Sequence, residues 1–373
     1  MRIVFGVVSL LYRLSRKVNN YLKLKYTYLE CRAKLSKFKS IDGFTIHNES
    51  EQVKKYKQKW KALTSHVEKA YMINVSKSIK YIDLDVVPSD VYYSIIEPTL
   101  NNIPFSVGLE DKSQLDWMYG DQSPHVFLKN IHGVFFVGDK VIEASDIDFI
   151  TCVKSHHKVI VKQSIDSHGG RSIIVFSRKG DGFYTDSGEY LTIDYLLSKF
   201  KSNFIVQAFV NQHDFYAQFN QSSLNSLRVM TYRSVVDNEI KVLNVVLRVG
   251  NAGSYVDNLK FGGYAIGLNE DGFLRHFGVN NRGEVRSEFN GTLLRNMGKA
   301  EGIDAVLETA VKAAAMHHHS RVLGFDMCYT NDDKVKIIEV NTWDLEVYNI
   351  QLANGSLFHQ YTDEVIDYCA KMR

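Results

Sequence analysis

The chain is poor in residues that interrupt or cross-link a fold: of its 373 residues, 4 are proline and 4 are cysteine. With 45% apolar and 23% charged residues, this scarcity excludes a disordered or collagen-like polypeptide and leaves ample material for a core. Cys31, Cys152, Cys328 and Cys369 are scattered and form no CxxC pair. Their spacing argues against a disulfide framework or a thiolate metal site and fits a reducing cytosol. Long apolar runs are also missing. The run at residues 3–12, IVFGVVSLLY, is about half of the ~20 residues a helix needs to cross a bilayer. It passes into RLSRKVNNYLKLKY without a small-residue cleavage site, so a cleaved leader is not expected.

Acids are almost absent from residues 1–40, where ten Lys and Arg stand against Glu30 alone, a net of +9. The other 333 residues carry 35 basic and 41 acidic side chains, a net of −6. A mildly acidic body with one basic arm does not fit a uniformly basic nucleic-acid binder, and no nucleic-acid partner is expected. Read as a helix, the arm places Val7, Leu11, Leu14, Val18, Tyr21 and Leu22 on one face, with Arg13, Arg16, Lys17 and Lys23 mostly elsewhere. Two readings stay open. One is a helix in the interface of an anionic membrane, at the inner face of the plasma membrane; the other is an ordinary amphipathic helix packed on the body.

Residues 50–71 are charged and helix-compatible, and KYIDLDVVPSDVYYSIIEPTLNN reads as short extended segments joined by turns. HVFLKN and GVFFVGD read as strands around Ile131-His132-Gly133, and KVIVKQ and SIIVFS as strands on either side of the polar loop SIDSHGGRS. A short helix over 192–200 and a strand at FIVQAFV follow. From Leu227 onward the pattern is largely antiparallel. A long helix is marked by Ile303, Val306, Leu307, Ala310, Val311 and Ala314 at helical period, then a strand pair, RVLGFDMCY and KVKIIEVN, turns at Asn331-Asp332-Asp333. The close is a helix, TDEVIDYCAKM. The three histidines His317, His318 and His319 point about 100° apart on a helix and are not expected to share one ion.

The strand pair carries the strongest chemical signal. Antiparallel pairing brings Asp326 beside Glu339, and Glu339 and Asn341, two apart, point to one face. Three oxygen donors, two of them carboxylates, suit a hard cation such as Mg²⁺; a surface hairpin with solvated acids is the plainer reading. Lys162 ends an apolar strand seven residues before Gly169-Gly170, where small residues let backbone N–H groups approach an anion. This suggests a phosphate clamp, although a plain hairpin turn has the same residues. Neither a GKS/GKT ending nor a GxGxxG is present. Arg228 and Arg248 lie on strands, where a guanidinium faces either a surface or an anion.

Taken in order, Asp-Lys, strand Lys with Gly-Gly, VQAFV, LNSLR, GFD and EVN resemble an ATP-grasp enzyme. SSLNSLRVMTYR and LRVGNAGSYVDNLKFGGYAIGLNEDG resemble the branch associated with sugar transfer and surface-polysaccharide biosynthesis. The resemblance covers roughly residues 80–365. It implies an α+β fold in which two α+β subdomains sandwich a nucleotide. The implied organisation is a basic arm at 1–40, a helical or mixed region at 41–105, a subdomain with the Gly-rich loop at 106–206 and one with the metal site at 207–373.

By the same resemblance, Lys112 and Lys162 contact ATP phosphates beneath a loop containing Gly169 and Gly170. The backbone of Gln207, Ala208, Phe209 and Val210 reads adenine, and Asp214 lies near the ribose. Asp326, Glu339 and Asn341 hold Mg²⁺, while Arg228 and Arg248 stabilise the transferring phosphoryl group. Asp257, Asn258, Gly262 and Gly263 match the branch without an assigned role. The stretch at 276–280 and EVNTWDLEV depart from its pattern on the acceptor side.

The implied activity is an ATP- and Mg²⁺-dependent carboxylate–amine ligase. It acts through an acyl phosphate and joins an amine or amino acid to a sugar acid, free or carried on a polysaccharide precursor. A kinase that stops at phosphoryl transfer and a non-catalytic nucleotide-binding scaffold are the alternatives.

Overall fold

The computed structural model describes residues 14, 15, 18, 22, 25–36, 38, 41, 45–47, 50–149, 153, 156–165, 173–250, 259 and 262–372. Helix α1 (Glu51–Trp60) starts where the Ser50 side chain accepts a hydrogen bond from the Val53 N–H. Its Val53, Tyr56 and Trp60 are buried at helical spacing, while Lys54, Lys55 and Lys57 are exposed. Helix α2 (Ala70–Ile79) buries Tyr71, Met72 and Val75 against the same core.

The next segment departs from the extended reading of its sequence. Ser89–Val91, Tyr92–Ile96 and Glu97–Leu100 form one helical stretch with a π turn in the middle. Val91, Tyr92, Ile96 and Leu100 are buried at helical intervals, a period hidden behind β-branched and aromatic residues. Pro98 is accommodated because it stands in the first turn after the π turn.

Seven strands form the first antiparallel sheet: β1 (Val126–Ile131), β2 (Val134–Val137), β3 (Lys140–Ile142), β4 (Lys158–Gln163), β5 (Ile173–Lys179), β6 (Gly182–Tyr184) and β7 (Phe204–Ala208). Their order is β3-β2-β1-β7-β4-β5-β6. The β1–β2 turn places His132 and Gly133 at φ 50° and 87°, the left-handed pair a two-residue hairpin favours. Helix α3 (Ile193–Phe200), capped by Thr192, lays Leu196 and Phe200 over Val159, Val161, Phe176, Phe204 and Val206. Side chains alternate along a strand, so Ile160, Lys162, Ile205 and Gln207 project from the opposite face.

The second sheet holds β8 (Leu227–Arg233), β9 (Ile240–Val249), β10 (Tyr264–Leu268), β11 (Leu274–Val279) and β12 (Val285–Arg286). After the small hairpin β13 (Glu288–Phe289) and β14 (Thr292–Leu293), β15 (Val322–Tyr329) and β16 (Val335–Asn341) complete the order β12-β11-β10-β9-β8-β15-β16. Helix α4 (Ile303–Ala315) packs Val306, Ala310, Ala313 and Ala314 onto Leu227, Val229, Leu247, Phe325, Ile337 and Val340. Gly302 begins it at φ 68°, beneath the Tyr329 ring, so a Cβ there would meet both strain and a clash. The other face of this sheet receives α1, α2, α5 (Val347–Asn354) and α6 (Thr362–Lys371), whose core includes Met230, Tyr232, Val246 and Val322. By alternation that second face also carries Arg228, Arg248, Asp326, Glu339 and Asn341.

Candidate active site

Strand register assembles the site. Arg228 on β8 lies opposite Asp326 on β15, which lies opposite Glu339 on β16; Gly324 lies opposite Asn341. Cross-strand partners share a side, so three strands deliver a row of charges. Arg228 donates from Nε to Asp326 Oδ1 at 2.5 Å and from NH2 to Oδ2 at 3.0 Å, and Arg248 NH1 donates to Oδ2 at 3.0 Å. Asp326 is buried, and burial alone would raise its pKa. The Arg228 and Arg248 guanidinia outweigh that effect and hold it down to about 2.

At the other end of the row, Glu339 Oε1 accepts from Lys112 Nζ at 2.9 Å, and the glutamate side chain is 32% exposed. The Lys112 N–H bonds the Ser164 carbonyl, which sets this lysine beside Lys162 on β4. Lys162 Nζ is buried and, among the described residues, donates only to the Ile338 carbonyl at 3.5 Å. Desolvation and then the Lys112 charge lower its pKa to about 7. Asn341 Nδ2 donates to the Gly324 carbonyl at 3.3 Å, leaving Oδ1 as its available oxygen. Lys112, Lys162, Arg228, Arg248, Asp326, Glu339 and Asn341 thus come together where the first sheet meets the second.

The remaining candidates sit on other elements. Gln207 sits in the β7 ladder with its side-chain amide donating to the Pro124 carbonyl at 3.1 Å. Ala208, the last residue of β7, bonds the His125 carbonyl, and Val210 lies beyond the strand. Asp214 is exposed at the start of the short helix Asp214–Ala217. Gly169, Gly170, Asp257 and Asn258 lie outside the described residues, whereas Gly262 and Gly263 are described and lead into β10, whose Ala265 lies opposite Arg248. His317 Nε2 faces Tyr119 Oη at 2.6 Å, and burial lowers its pKa to about 4; His319 stacks on Phe105.

Several residues escaped sequence reasoning. Glu110 accepts from both N–H (2.5 Å) and Oγ1 (2.8 Å) of Thr342, tying down the chain immediately after Asn341. Glu346, at φ 53°, adds a negative field at Arg228. Asn225 donates to the Tyr216 and Asn220 carbonyls at 2.9 and 2.7 Å, and its N–H reaches Gln212 Oε1 at 2.8 Å. These bonds order the passage from β7 to β8 just ahead of Arg228. The SLNSLR stretch, with one asparagine between two serines before an arginine, is the sequence trace of that knot.

A model of the family described as sugar-transfer associated ATP-grasp matches residues 97–365. The chain belongs to that family. Its fold is the α+β ATP-grasp fold, and ATP with Mg²⁺ is the family's cofactor pair. A search of curated proteins returns no match. Similar solved structures include N5-carboxyaminoimidazole synthetase from Staphylococcus aureus complexed with ADP. It has 9% identity and a TM-score of 0.35, covering 64% of this chain and 44% of that one. D-alanine–D-alanine ligase from Bacillus anthracis has 11% identity and a TM-score of 0.39, covering 71% and 68%. L-amino acid ligase from Bacillus licheniformis has 10% identity and a TM-score of 0.36, covering 74% and 50%. The chain spans about half the length or less of several of these proteins.

The residues present fit the cofactor pair. Among the described residues no group of three His, Cys, Asp or Glu could hold a metal, and Asp326, Glu339 and Asn341 bring two carboxylates and one amide oxygen to a single face. Such a set completes its coordination with phosphate oxygens and water. The buried Lys162 side chain, which among the described residues makes one long hydrogen bond and stands beside the Lys112 charge, is a site that gains by receiving an anion.

Proposed function

We propose that this protein is an ATP- and Mg²⁺-dependent carboxylate–amine ligase that forms an amide on a sugar acid during surface-polysaccharide biosynthesis. The row Arg248–Asp326–Arg228 with Glu339–Lys112 and Lys162, within this family, is the observation that carries the reading. Lys112 and Lys162 hold the phosphate chain, and Asp326, Glu339 and Asn341 hold the cation. Mg²⁺ held there would supply charge neutralisation on the phosphoryl oxygens. Arg228 and Arg248 orient the acceptor carboxylate and offset the charge that develops as its oxygen attacks the γ-phosphorus and ADP leaves. An amine then displaces phosphate from the resulting acyl phosphate. That species hydrolyses readily, so the loop containing Gly169 and Gly170 serves to exclude water, and the backbone of 207–210 with Asp214 takes the nucleoside.

We place the enzyme in the cytoplasm, with its acceptor at the inner face of the plasma membrane. Among the described residues no helix is long and apolar enough to cross a membrane. The test is ADP release from purified protein offered uronic acids and amino acids in pairs. Release is expected with the matching pair only, with hydroxylamine trapping the intermediate as a hydroxamate, and is abolished by Glu339→Gln. Unchanged turnover in that variant removes the metal assignment; ADP without hydroxamate points to a kinase, and binding without turnover to a scaffold.

A further inference from the structure

Residues 25–36 are helical, as are Leu14, Ser15, Val18 and Leu22. One side of the 25–36 helix is docked. Cys31 is buried, and Leu35, with Phe38 after it, packs against the helical core. Arg32 bonds Glu68 at 3.1 Å, just ahead of α2. The opposite side is open. Leu14, Val18, Leu22, Tyr26 and Leu29 are 49%, 57%, 56%, 67% and 55% exposed. Their spacing gathers them into one stripe, roughly 140° around the helix from Cys31 and Leu35 at 100° per residue.

Five large apolar side chains in a row call for a partner, and charge decides which. The stripe belongs to the segment with ten cations and one acid, and Lys25 and Lys34 on the same helix are exposed. A second copy placed stripe against stripe would bring two +9 segments together. A bilayer of anionic phospholipid offers apolar depth and negative charge at once.

We propose that the Leu14–Leu29 stripe is a lipid-facing surface that seats the helix in the headgroup region of an anionic bilayer, while the Cys31 and Leu35 side holds the catalytic body to it. This deepens the membrane placement above and rests on it only for where the acceptor is found. The docked side fixes the body rigidly to the lipid-bound helix, so the bilayer orients the enzyme and does more than concentrate it.

The test uses full-length protein and flotation with phosphatidylcholine vesicles, with and without phosphatidylglycerol. Wild type is expected to float with the phosphatidylglycerol vesicles, to stay unbound with phosphatidylcholine alone, and to be released by raised salt. Leu22→Ser combined with Leu29→Ser is expected to lower binding by about tenfold at unchanged circular dichroism and nucleotide affinity. Absence of binding by wild type, or equal binding by the double variant, overturns the proposal. So does a concentration-dependent dimer in sedimentation that the double variant abolishes, because the stripe's occupant is then a second copy. Vesicle binding without ADP release on any soluble pair counts against the ligase reading alone.

Discussion

Asp326 and Glu97 are both buried carboxyl groups, 6% and 2% exposed, yet they are driven in opposite directions. Asp326, on the second sheet, has two guanidinia and is held down to about 2. Glu97, in the helical stretch behind that sheet, is desolvated with the Asp344 carboxylate nearby. Among the described residues the backbone N–H groups of 344 and 345 favour its charge without matching the burial cost, and its pKa rises to about 8. Burial is common to both; the difference is whether a cation was buried alongside. Asp326 stays ionised in place, whereas the supporting module lets its acid go neutral.

The sharpest way to break this contrast is Asp326→Ala, which leaves Arg228 and Arg248 buried without their carboxylate. A loss of about 3–5 kcal/mol in urea unfolding is expected; a wild-type midpoint would show that the pair contributes nothing to the sheet.

Glu97 and Asp326 should also differ in pH dependence. A carboxyl raised in the native state binds its proton there while the unfolded chain has lost it, so stability attributable to Glu97 falls as pH rises from 4.5 to 8. The slope amounts to about 2–3 kcal/mol between pH 5 and 7, and Glu97→Gln should remove it. For Asp326, lowered in the native state, the contribution is present above pH 3.8 and is lost as pH falls toward 2. A variant whose stability profile parallels wild type from pH 5 to 7 would contradict the Glu97 assignment.

Lys162 is the cationic counterpart, buried beside a second cation, Lys112, with the Glu339 carboxylate only partly offsetting the cost. Its native pKa lies below the unfolded value, so stability rises with pH between about 7 and 10.5. Binding of ADP, which calls for the ammonium, should weaken by up to tenfold per pH unit above 7, and Lys162→Met should flatten that dependence. Identical pH profiles of ADP affinity would count against a role for Lys162 in holding phosphate. The smallest effect belongs to Glu339→Gln, whose partly exposed pair with Lys112 should change stability by less than about 1 kcal/mol. A larger loss would make Glu339 a second Asp326.

What the sequence disclosed follows from what is local. Antiparallel pairing of the two strands predicts Asp326 beside Glu339, and the register agrees, but through an irregularity between Asp326 and Met327 that the Asn331-Asp332-Asp333 turn does not announce. The helix over 303–315 was legible from its spacing. The helical stretch at 89–100 was not, because its aromatic and β-branched residues favour strands locally and only the surrounding core makes them helical. Long-range partners left even less trace: Lys112 meets Glu339 across 227 positions and Glu110 meets Thr342 across 232. No local pattern encodes such pairs, since they arise from how two sheets meet.

The β8–β15 pairing also fixes an order of assembly. Arg228 and Asp326 are 98 positions apart, and the strand bearing Asp326 leaves the ribosome long after β8 and β9 can zip together. Throughout that interval β8 presents a bare strand edge with Val229 and Met230 beside an unpaired guanidinium, a template for misplaced pairing until β15 arrives. Nascent chains halted before residue 341 should therefore be the aggregation-prone species, and Arg228 keeps that waiting edge charged until Asp326 arrives.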